Sequence, residues 1–464
     1  MSHKQLRNHK SQENTLVEIS CFEPTEGVAE YHVMIHVTRP SLTYQEQLDT
    51  LLDTYYQLLE NELKGAVAVF KRYFLSDAAN QTDWLAVQVP ESSVCACSIV
   101  EQPPLNGTKI ALWVYLQSGV QCRALESGLF EVSHGAYRHL WGGSASNRAA
   151  NSEYQTRLLL NDYILQLIAQ GGHLAENCIR TWFFVQNVDV NYAGVVKARN
   201  EVFVTQGLTP QTHYIASTGI GGRHADTQVL VQMDTYAVLG IRQEQIHYLY
   251  APTHLNPTYE YGVSFERGTY VDYGDRRQVF ISGTASINHR GEVVHPGDIR
   301  KQTERMWENV ETLLKEAEMS FDDIGQMLVY LRDAADYAVV REVFDQRFPE
   351  MPKVILLAPV CRPKANNPNG ARSPAPATMP PCTICHDELG HDAPAYMRPR
   401  PHFRVSSCPH YNTVISVHFF VKRILKQPSP PYAYPHRSAR RRAVRSNMPC
   451  VCKAVSPNRS KPSP

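Results

Sequence analysis

Two short segments that are rich in glycine and in hydroxyl side chains carry the residues best suited to chemistry. In STGIGG (217–222), glycines allow the backbone to approach a ligand closely, so that N–H groups can surround a carboxylate. SGTAS (282–286) adds hydroxyls that can bind the same kind of group. The alternative is structural: a glycine-rich turn between strands at 217–222, and small residues needed for packing at 282–286. On the binding hypothesis, a small carboxylated metabolite contacts Ser217, Thr218, Gly219, Gly221, Ser282, Gly283 and Thr284.

The second of these segments has a copy earlier in the chain, GGSAS (142–146), which favours a structural role for its small residues. A similar strand–helix–strand–helix pattern follows each copy. Further matches recur at a spacing of 145, and they pair Ile179 with Ile324, Tyr192 with Tyr337, Ala193 with Ala338, Val195 with Val340, and Phe203 with Phe348. A repeat longer than a solenoid unit indicates duplicated small domains within one chain.

The unit that follows SGTAS shows its elements most clearly. The segment 278–287 alternates like a β-strand, and 327–331 and 353–360 are apolar enough to be buried strands. A helix at 337–348 lies between the last two. Asp298 can cap another helix, whose apolar residues recur every three or four positions at Met306, Val310, Leu313, Leu314 and Ala317. Each helix therefore has one apolar face to pack on a sheet.

The other two units repeat this order. The second has helices near 154–170 and 192–205 and strands at 180–186, 212–217 and 228–239, and a diverged first unit has a helix at 44–62 and strands at 66–76, 95–100 and 109–116. We predict an α/β protein whose three units pack as a pseudo-trimer within one chain, which can then act as a monomer. The predicted boundaries are a flexible N-terminus at 1–17, units at 18–130, 131–250 and 251–363, and a disordered basic, Pro-rich tail at 364–464.

Composition limits the class of protein. The 464 residues are 43% hydrophobic and contain no run of about 18 apolar residues, so we expect no membrane span. The N-terminus lacks the apolar segment of a secretory signal, and the 11 cysteines form no regular framework. We therefore expect a cytoplasmic protein with reduced thiols.

Charge divides the chain into two regions. Residues 364–464 contain 16 Lys and Arg against 3 Asp and Glu, whereas residues 1–363 contain 30 against 42. Cys382-x-x-Cys385 with nearby histidines is a weak match to a zinc site, and the basic run at 438–442 lacks the interleaved aromatic residues of a nucleic-acid interface. We predict no metal, no organic cofactor and no specific nucleic-acid partner.

The unit pattern resembles the YjgF/Rid fold, which is similar to chorismate mutase, and residues 175–363 resemble its chorismatase branch. The segments that carry the resemblance are 199–208, 213–222, Tyr261-Gly262 with Phe265 and Arg267, 281–287, 295–303 and Cys361-Arg362-Pro363. Chorismatases cleave the enolpyruvyl ether of chorismate and release pyruvate. The resemblance adds Tyr261, Arg267, Cys361 and Arg362 to the expected substrate-binding residues, with Arg267 as a carboxylate clamp and Cys361 as a pocket wall.

The same resemblance implies a catalytic Glu seven residues beyond Cys361, where this chain has Pro368. The third unit also lacks a recognisable closing strand, because a Pro- and Asn-rich stretch follows Pro363 and only 414–425 forms an apolar patch beyond it. Two explanations stay open: a shifted reading frame after Pro363, or a genuine divergent tail. We predict a chorismatase-like enzyme that is impaired because the acid is missing.

The alternative is a Rid-fold protein that binds a small molecule without turnover, or a protein like the imine and enamine deaminases. Rid deaminases are similar in fold but hold the substrate carboxylate with an Arg two residues after a strand-opening Pro. The corresponding residues here are Val354 and Thr212, which cannot form that bidentate contact. The deaminase alternative is therefore disfavoured.

Overall fold

The computed structural model describes residues 2–7, 14–24, 27–89, 94–360 and 416–424. The first unit begins with three antiparallel strands and closes with a strand inserted into the middle of the sheet. Its elements are β1 (Ser2–Arg7), β2 (Thr15–Phe22), β3 (Ala29–Val37), α1 (Tyr44–Asn61), β4 (Val67–Leu75), α2 (Ala78–Gln88), β5 (Ala96–Glu101) and β6 (Ile110–Ser118). The strand order is β1-β2-β3-β6-β4-β5, in which β4 and β5 run parallel.

The second unit repeats this topology, with the strand order β7-β8-β9-β12-β10-β11. Its elements are β7 (Gln121–Ala124), β8 (Phe130–His134), β9 (Tyr137–Ser146), α3 (Ser152–Ala169), α4 (Leu174–Asn177), β10 (Cys178–Val185), α5 (Val188–Thr205), β11 (Ala216–Gly221) and β12 (Val231–Leu239). The GGSAS segment forms the end of β9. The predicted boundary at 130/131 is too late, because the exposed strand β7 carries no apolar alternation that would reveal it.

The third unit has the same order again, β13-β14-β15-β18-β16-β17. Its elements are β13 (Ile246–Leu249), β14 (Gly268–Asp272), β15 (Arg276–Thr284), α6 (Ile299–Glu316), β16 (Ile324–Leu331), α7 (Tyr337–Arg347), β17 (Lys353–Leu357) and β18 (Ser416–Ile424). SGTAS begins at the end of β15, the position that GGSAS has on β9. The repeat in the sequence is therefore a repeat in topology. Asp298 caps α6 as predicted, since its side chain accepts the N–H of Lys301 at 3.1 Å.

Two predictions about the chain ends are corrected. The segment 1–17 contains β1 and the start of β2, so it is not wholly a flexible N-terminus. The third unit does not lack its closing strand, because β18 pairs with β15 and β16 in the place that β6 and β12 hold in the other sheets. The sequence between β17 and β18 is 58 residues long, against 8 and 9 residues before the closing strands of the first two units, and this distance hid the strand from sequence inspection. The rest of the predicted tail lies outside the described residues.

The three sheets pack around a shared aromatic core. Phe70 of the first unit lies 5.4 Å from the ring of Trp141 and 6.5 Å from that of Trp182, both in the second unit. Tyr236 of the second unit lies 5.2 Å from Phe280 of the third. All of these side chains are buried. The predicted pseudo-trimer within one chain is confirmed by this arrangement, and the three units belong to one compact body, Met1–Leu425.

Buried charges join the units across this core. Arg72 on β4 donates to Asp234 on β12 at 2.6 Å, and both side chains are fully buried. Arg276 on β15 pairs with Glu30 on β3 at 2.8 Å. Lys353 on β17 pairs with Glu18 on β2 at 3.2 Å. Because such pairs are stable only in a well-defined geometry, they fix how the sheets meet.

Candidate functional site

Most of the predicted site residues meet at a seam between the second and third units, where β11 lies beside β15. The N–H of Ser217 donates to the hydroxyl of Ser282 at 3.0 Å, and the N–H of Gly283 donates to the hydroxyl of Thr218 at 3.0 Å. The seam continues through Glu266, whose N–H donates to the carbonyl of Ile215. Two segments that are far apart in sequence therefore form one hydrogen-bonded surface.

A buried arginine organises the hydroxyls of this seam. Arg180 on β10 donates to Thr218 at 2.6 Å and to Ser282 at 3.3 Å. Burial lowers the pKa of its guanidinium to about 9, with Tyr330 acting in the opposite direction. Sequence inspection missed Arg180 because a strand that is otherwise apolar gives no hint of what its one arginine faces.

The hydroxyl groups at the seam differ in how many of their possible hydrogen bonds are already made within the protein. Ser282 donates to the carbonyl of Glu266 at 2.6 Å and accepts two bonds, so it has no capacity left for a ligand. Thr284 donates to the carbonyl of Ser282 at 3.0 Å. Thr218 accepts from Arg180 and Gly283, which leaves its own proton to be donated. Thr218 thus has a proton that it can donate to a substrate oxygen, as does Ser217, whose hydroxyl accepts from Thr181 at 2.8 Å, while Ser282 and Thr284 hold the seam together.

The glycines of the seam make room for protein atoms. A Cβ on Gly219 would lie 2.4 Å from Cε2 of Tyr192, and one on Gly221 would lie 2.6 Å from Cδ of Pro359. Both residues belong to β11 and are buried. The expected glycine turn is therefore a strand, and the close approach that its glycines allow is used by side chains of α5 and of the segment after β17.

The group with the most unused donor capacity near this seam is Arg199, on the buried face of α5. Its side chain is fully buried, yet Nε and Nη2 have no hydrogen-bond partner within the described residues. The guanidinium lies 5.9 Å from the ring centroid of Phe265, in the third unit. Asn200 fixes this contact, because it donates to the carbonyl of Gly262 at 2.8 Å and accepts from Ser264 at 2.7 Å.

Arg267 lies against the same aromatic ring. Its guanidinium is 5.5 Å from Phe265 and 5.6 Å from Tyr261, which is partly exposed. Nη2 donates to the carbonyl of Asn256 at 2.7 Å and to its side chain at 3.1 Å. Arg267 therefore holds the loop before β14, and its guanidinium faces the aromatic wall beside Arg199.

A buried carboxyl group also lies at the seam. Glu266 accepts the N–H of Tyr214 at 2.7 Å, and its exposed fraction is 7%. Burial raises the pKa of this carboxyl, while the hydrogen bond from Tyr214 and the charge of Arg267 act in the opposite direction. Glu266 was not among the predicted site residues, because a Glu between Phe265 and Arg267 gives no sign of burial.

The remaining predictions are resolved in part. Cys361, Arg362, Pro368, Cys382, Cys385 and the histidines near these two cysteines lie outside the described residues. The closing strand β18 reads SVHFFVKRI and contains no Asp or Glu. The strand is present without the expected acid. Arg199 could have been found in the sequence as the one cation in the apolar series Val195, Ala198, Val202 and Phe203.

Comparisons with known proteins agree with this architecture. Residues 265–362 match the family model for endoribonuclease L-PSP. A RutC family protein of Pyrococcus abyssi is 40% identical over 73 residues, and the 3-aminoacrylate deaminase RutC of Acinetobacter baylyi is 35% identical over 72. Each match covers 16% of this chain and 57% of the relative, so the chain spans little more than half the length of these curated relatives.

A solved chorismatase shares the fold over a much larger part of the chain. It superposes with a TM-score of 0.52 at 15% identity, and the match covers 76% of this chain and 93% of the chorismatase. In the part of the chain that the structure describes, no helix is long and apolar enough to cross a membrane. Residues 265–362 therefore match the endoribonuclease L-PSP family, and the chain shares the fold of the solved chorismatase.

Proposed function

We propose that the seam between the second and third units binds a small carboxylated metabolite of the chorismate class. The observation that carries the proposal is Arg199, a fully buried guanidinium whose Nε and Nη2 find no hydrogen-bond partner among the residues that the structure describes. A buried cation of this kind is costly unless a ligand supplies the opposite charge. A carboxylate matches its planar donor geometry.

The surroundings of Arg199 fit such a ligand. Phe265 and Tyr261 supply a flat apolar surface for a ring, and Arg267 lies on the same surface. Thr218 offers a hydroxyl proton at the seam. A ligand with an unsaturated ring and more than one carboxylate matches all of these groups: the two arginines, the aromatic surface and the hydroxyl.

The proposed reaction is cleavage of the enolpyruvyl ether with release of pyruvate. This step needs a proton for the CH₂ carbon of the enol ether and a water molecule that adds to the neighbouring carbon, so that the resulting hemiketal releases pyruvate and leaves the ring alcohol. Because β18 contains no carboxyl residue, we propose that turnover in this chain is slow at best. Glu266 is the seam carboxyl to test as a proton source, since it is buried and its pKa is raised.

The second candidate function is binding without turnover, and the absence of Asp and Glu from β18 favours it. Incubation of the full chain with chorismate, coupled to lactate dehydrogenase and NADH, measures pyruvate directly. Pyruvate production above the uncatalysed rate, lost in Glu266→Gln, supports the enzyme. Saturable binding of chorismate without pyruvate supports the binding protein, and the absence of both pyruvate and binding sinks the whole proposal.

A further inference from the structure

The outer face of α3 differs from the outer faces of the corresponding helices in the other two units. Tyr154, Leu158, Leu165 and Ile168 project from α3 with exposed fractions of 54%, 44%, 64% and 53%. Their spacing of four, seven and three residues places them on one ridge. These four side chains form the α3 stripe. The stripe extends over about 21 Å, because an α-helix rises 1.5 Å per residue.

The corresponding helices of the first and third units show which residues a solvent-exposed helix face has at this position. The exposed face of α6 consists of charged residues such as Lys301, Glu304 and Glu308, and that of α1 includes Asp49 and Asp53. All three helices follow the third strand of a unit with the same topology. The fold therefore does not require an apolar surface here, and the α3 stripe is a property of this helix alone among the three.

We propose that the α3 stripe is the contact between two copies of this chain, packed as an antiparallel pair of α3 helices about a two-fold axis. The stripe is nearly symmetric about its own centre, which lies between Asn161 and Asp162 and within one residue of the middle of α3. A two-fold axis there sets Leu158 opposite Leu165 of the second copy, and it sets Tyr154 within one residue of the position opposite Ile168. A symmetric pair of identical patches is the commonest way in which soluble chains form dimers.

The charges around the stripe complement a second copy. Asp162 is the one exposed charged residue between Leu158 and Leu165, and the axis sets it opposite the Asn161 amide of the other copy, which can donate to it. Along one side, Arg157 pairs with Glu153 at 3.0 Å and Lys197 pairs with Glu153 at 3.0 Å. The border of the stripe is thus polar and already neutralised, as in protein interfaces with an apolar centre.

The size of the contact predicts a weak dimer. One pair of helices of this length buries less surface than the roughly 1,000 Å² that marks a stable specific interface. We expect a dissociation constant on the order of micromolar, so the dimer should dissociate on dilution.

Sedimentation velocity of the full chain over about 1–200 µM tests the proposal. The wild type should shift from monomer to dimer across that range, and Leu165→Glu should remain monomeric. Leu158→Lys should also be monomeric, whereas the double variant Leu158→Lys, Leu165→Glu should dimerise again, because each copy then pairs a lysine with a glutamate of the other. Tyr56→Glu, an exposed residue on α1, is the matched control and should dimerise like the wild type.

Three results would overturn the proposal. The wild type could stay monomeric throughout, which would also be the outcome if another segment of the chain covered the stripe. Leu165→Glu could leave the association unchanged. The double variant could fail to restore the dimer, which would exclude the antiparallel register. Circular dichroism of each variant checks that these exposed substitutions leave the fold intact.

Discussion

At the scale of single residues, Arg199 links stability and binding. A buried cation without a partner destabilises the ligand-free fold, and a bound carboxylate removes that cost. We predict that Arg199→Met raises the melting temperature of the ligand-free chain and abolishes the further rise that chorismate gives to the wild type. Thermal unfolding with and without ligand measures both effects.

The control for this prediction is Arg199→Lys, which keeps the charge but not the planar donor pair. We expect it to melt no higher than the wild type and to bind chorismate at least tenfold more weakly. A lower melting temperature of the ligand-free Arg199→Met variant would show instead that Arg199 stabilises the fold.

His32 makes the stability of the chain depend on pH. It is buried and stacks on Tyr115 at 4.7 Å, and burial lowers its pKa to about 3. Since an unfolded histidine titrates near 6.5, the unfolded chain binds the proton first as the pH falls. Stability should therefore decrease between about pH 6.5 and pH 3.

We predict that His32→Phe, which preserves the stack, flattens this decrease by up to about 1.4 kcal/mol per pH unit. Urea unfolding at several pH values measures the slope. At pH 8 the difference in the free energy of unfolding between the variant and the wild type reflects only the change in packing. If the free energy of unfolding changes with pH by the same amount in the two proteins between pH 7 and pH 4, His32 is not a neutral buried histidine.

The site shows which residues a sequence can reveal. Ser217, Thr218, Ser282 and Gly283 do meet at the seam, and their glycine and hydroxyl types pointed to it. Their individual roles could not be predicted, because hydrogen-bond capacity depends on contacts between the second and third units. Arg180 and Glu266 were missed for the same reason, since both gain their environment only when the sheets meet.

At the scale of elements, β18 is the strand on which the third sheet depends. It pairs with β15 on one side and β16 on the other, so without it two buried strands would expose unpaired edges. Its position could not be predicted from the sequence, because turn signals reveal strands joined by short loops and 58 residues separate β17 from β18. The helices were predicted more accurately, since α1 and α7 begin and end within one residue of their predicted bounds and Asp298 caps α6 as expected.

We predict that Phe420→Pro destabilises the third unit by several kcal/mol, because proline removes a donor from a central strand. Residue 420 pairs with Phe280 and Gln326. Phe420→Val keeps the N–H and suits a strand, so it should cost far less. Hydrogen exchange over 276–284 and 324–331 measures the effect. Equal protection in the two variants would show that β18 does not complete the sheet.

At the scale of the whole molecule, the ion pair of Arg72 and Asp234 joins the first unit to the second. Arg72 lies among four aromatic rings, at 5.0 to 5.3 Å from each centroid. Removal of one partner leaves an uncompensated charge in this core. We predict that Arg72→Met and Asp234→Asn each cost about 3–5 kcal/mol in the free energy of unfolding.

The double variant Arg72→Met, Asp234→Asn should be more stable than either single variant, because no buried charge is left without its partner. Urea unfolding of the four proteins gives the coupling energy. Additive losses would mean that the two residues act independently and that the pair does not hold the units together.

The three-unit architecture explains why one seam can specialise. At the seam between the first two units, a Cβ on Gly143 would lie 2.3 Å from the carbonyl oxygen of Cys97, so the two strands pack closely there. The seam between the second and third units instead contains Arg199, Thr218 and Glu266. Duplication within one chain lets these seams diverge, which identical subunits of a homotrimer cannot do.

Isothermal titration of the full chain with chorismate tests the central claim most directly. We predict saturable binding with one ligand per chain, a loss of at least a hundredfold in affinity in Arg199→Met, and wild-type affinity in Tyr56→Glu. Equal binding by the wild type and Arg199→Met, or no binding by the wild type, would contradict the assignment of this seam as a carboxylate site.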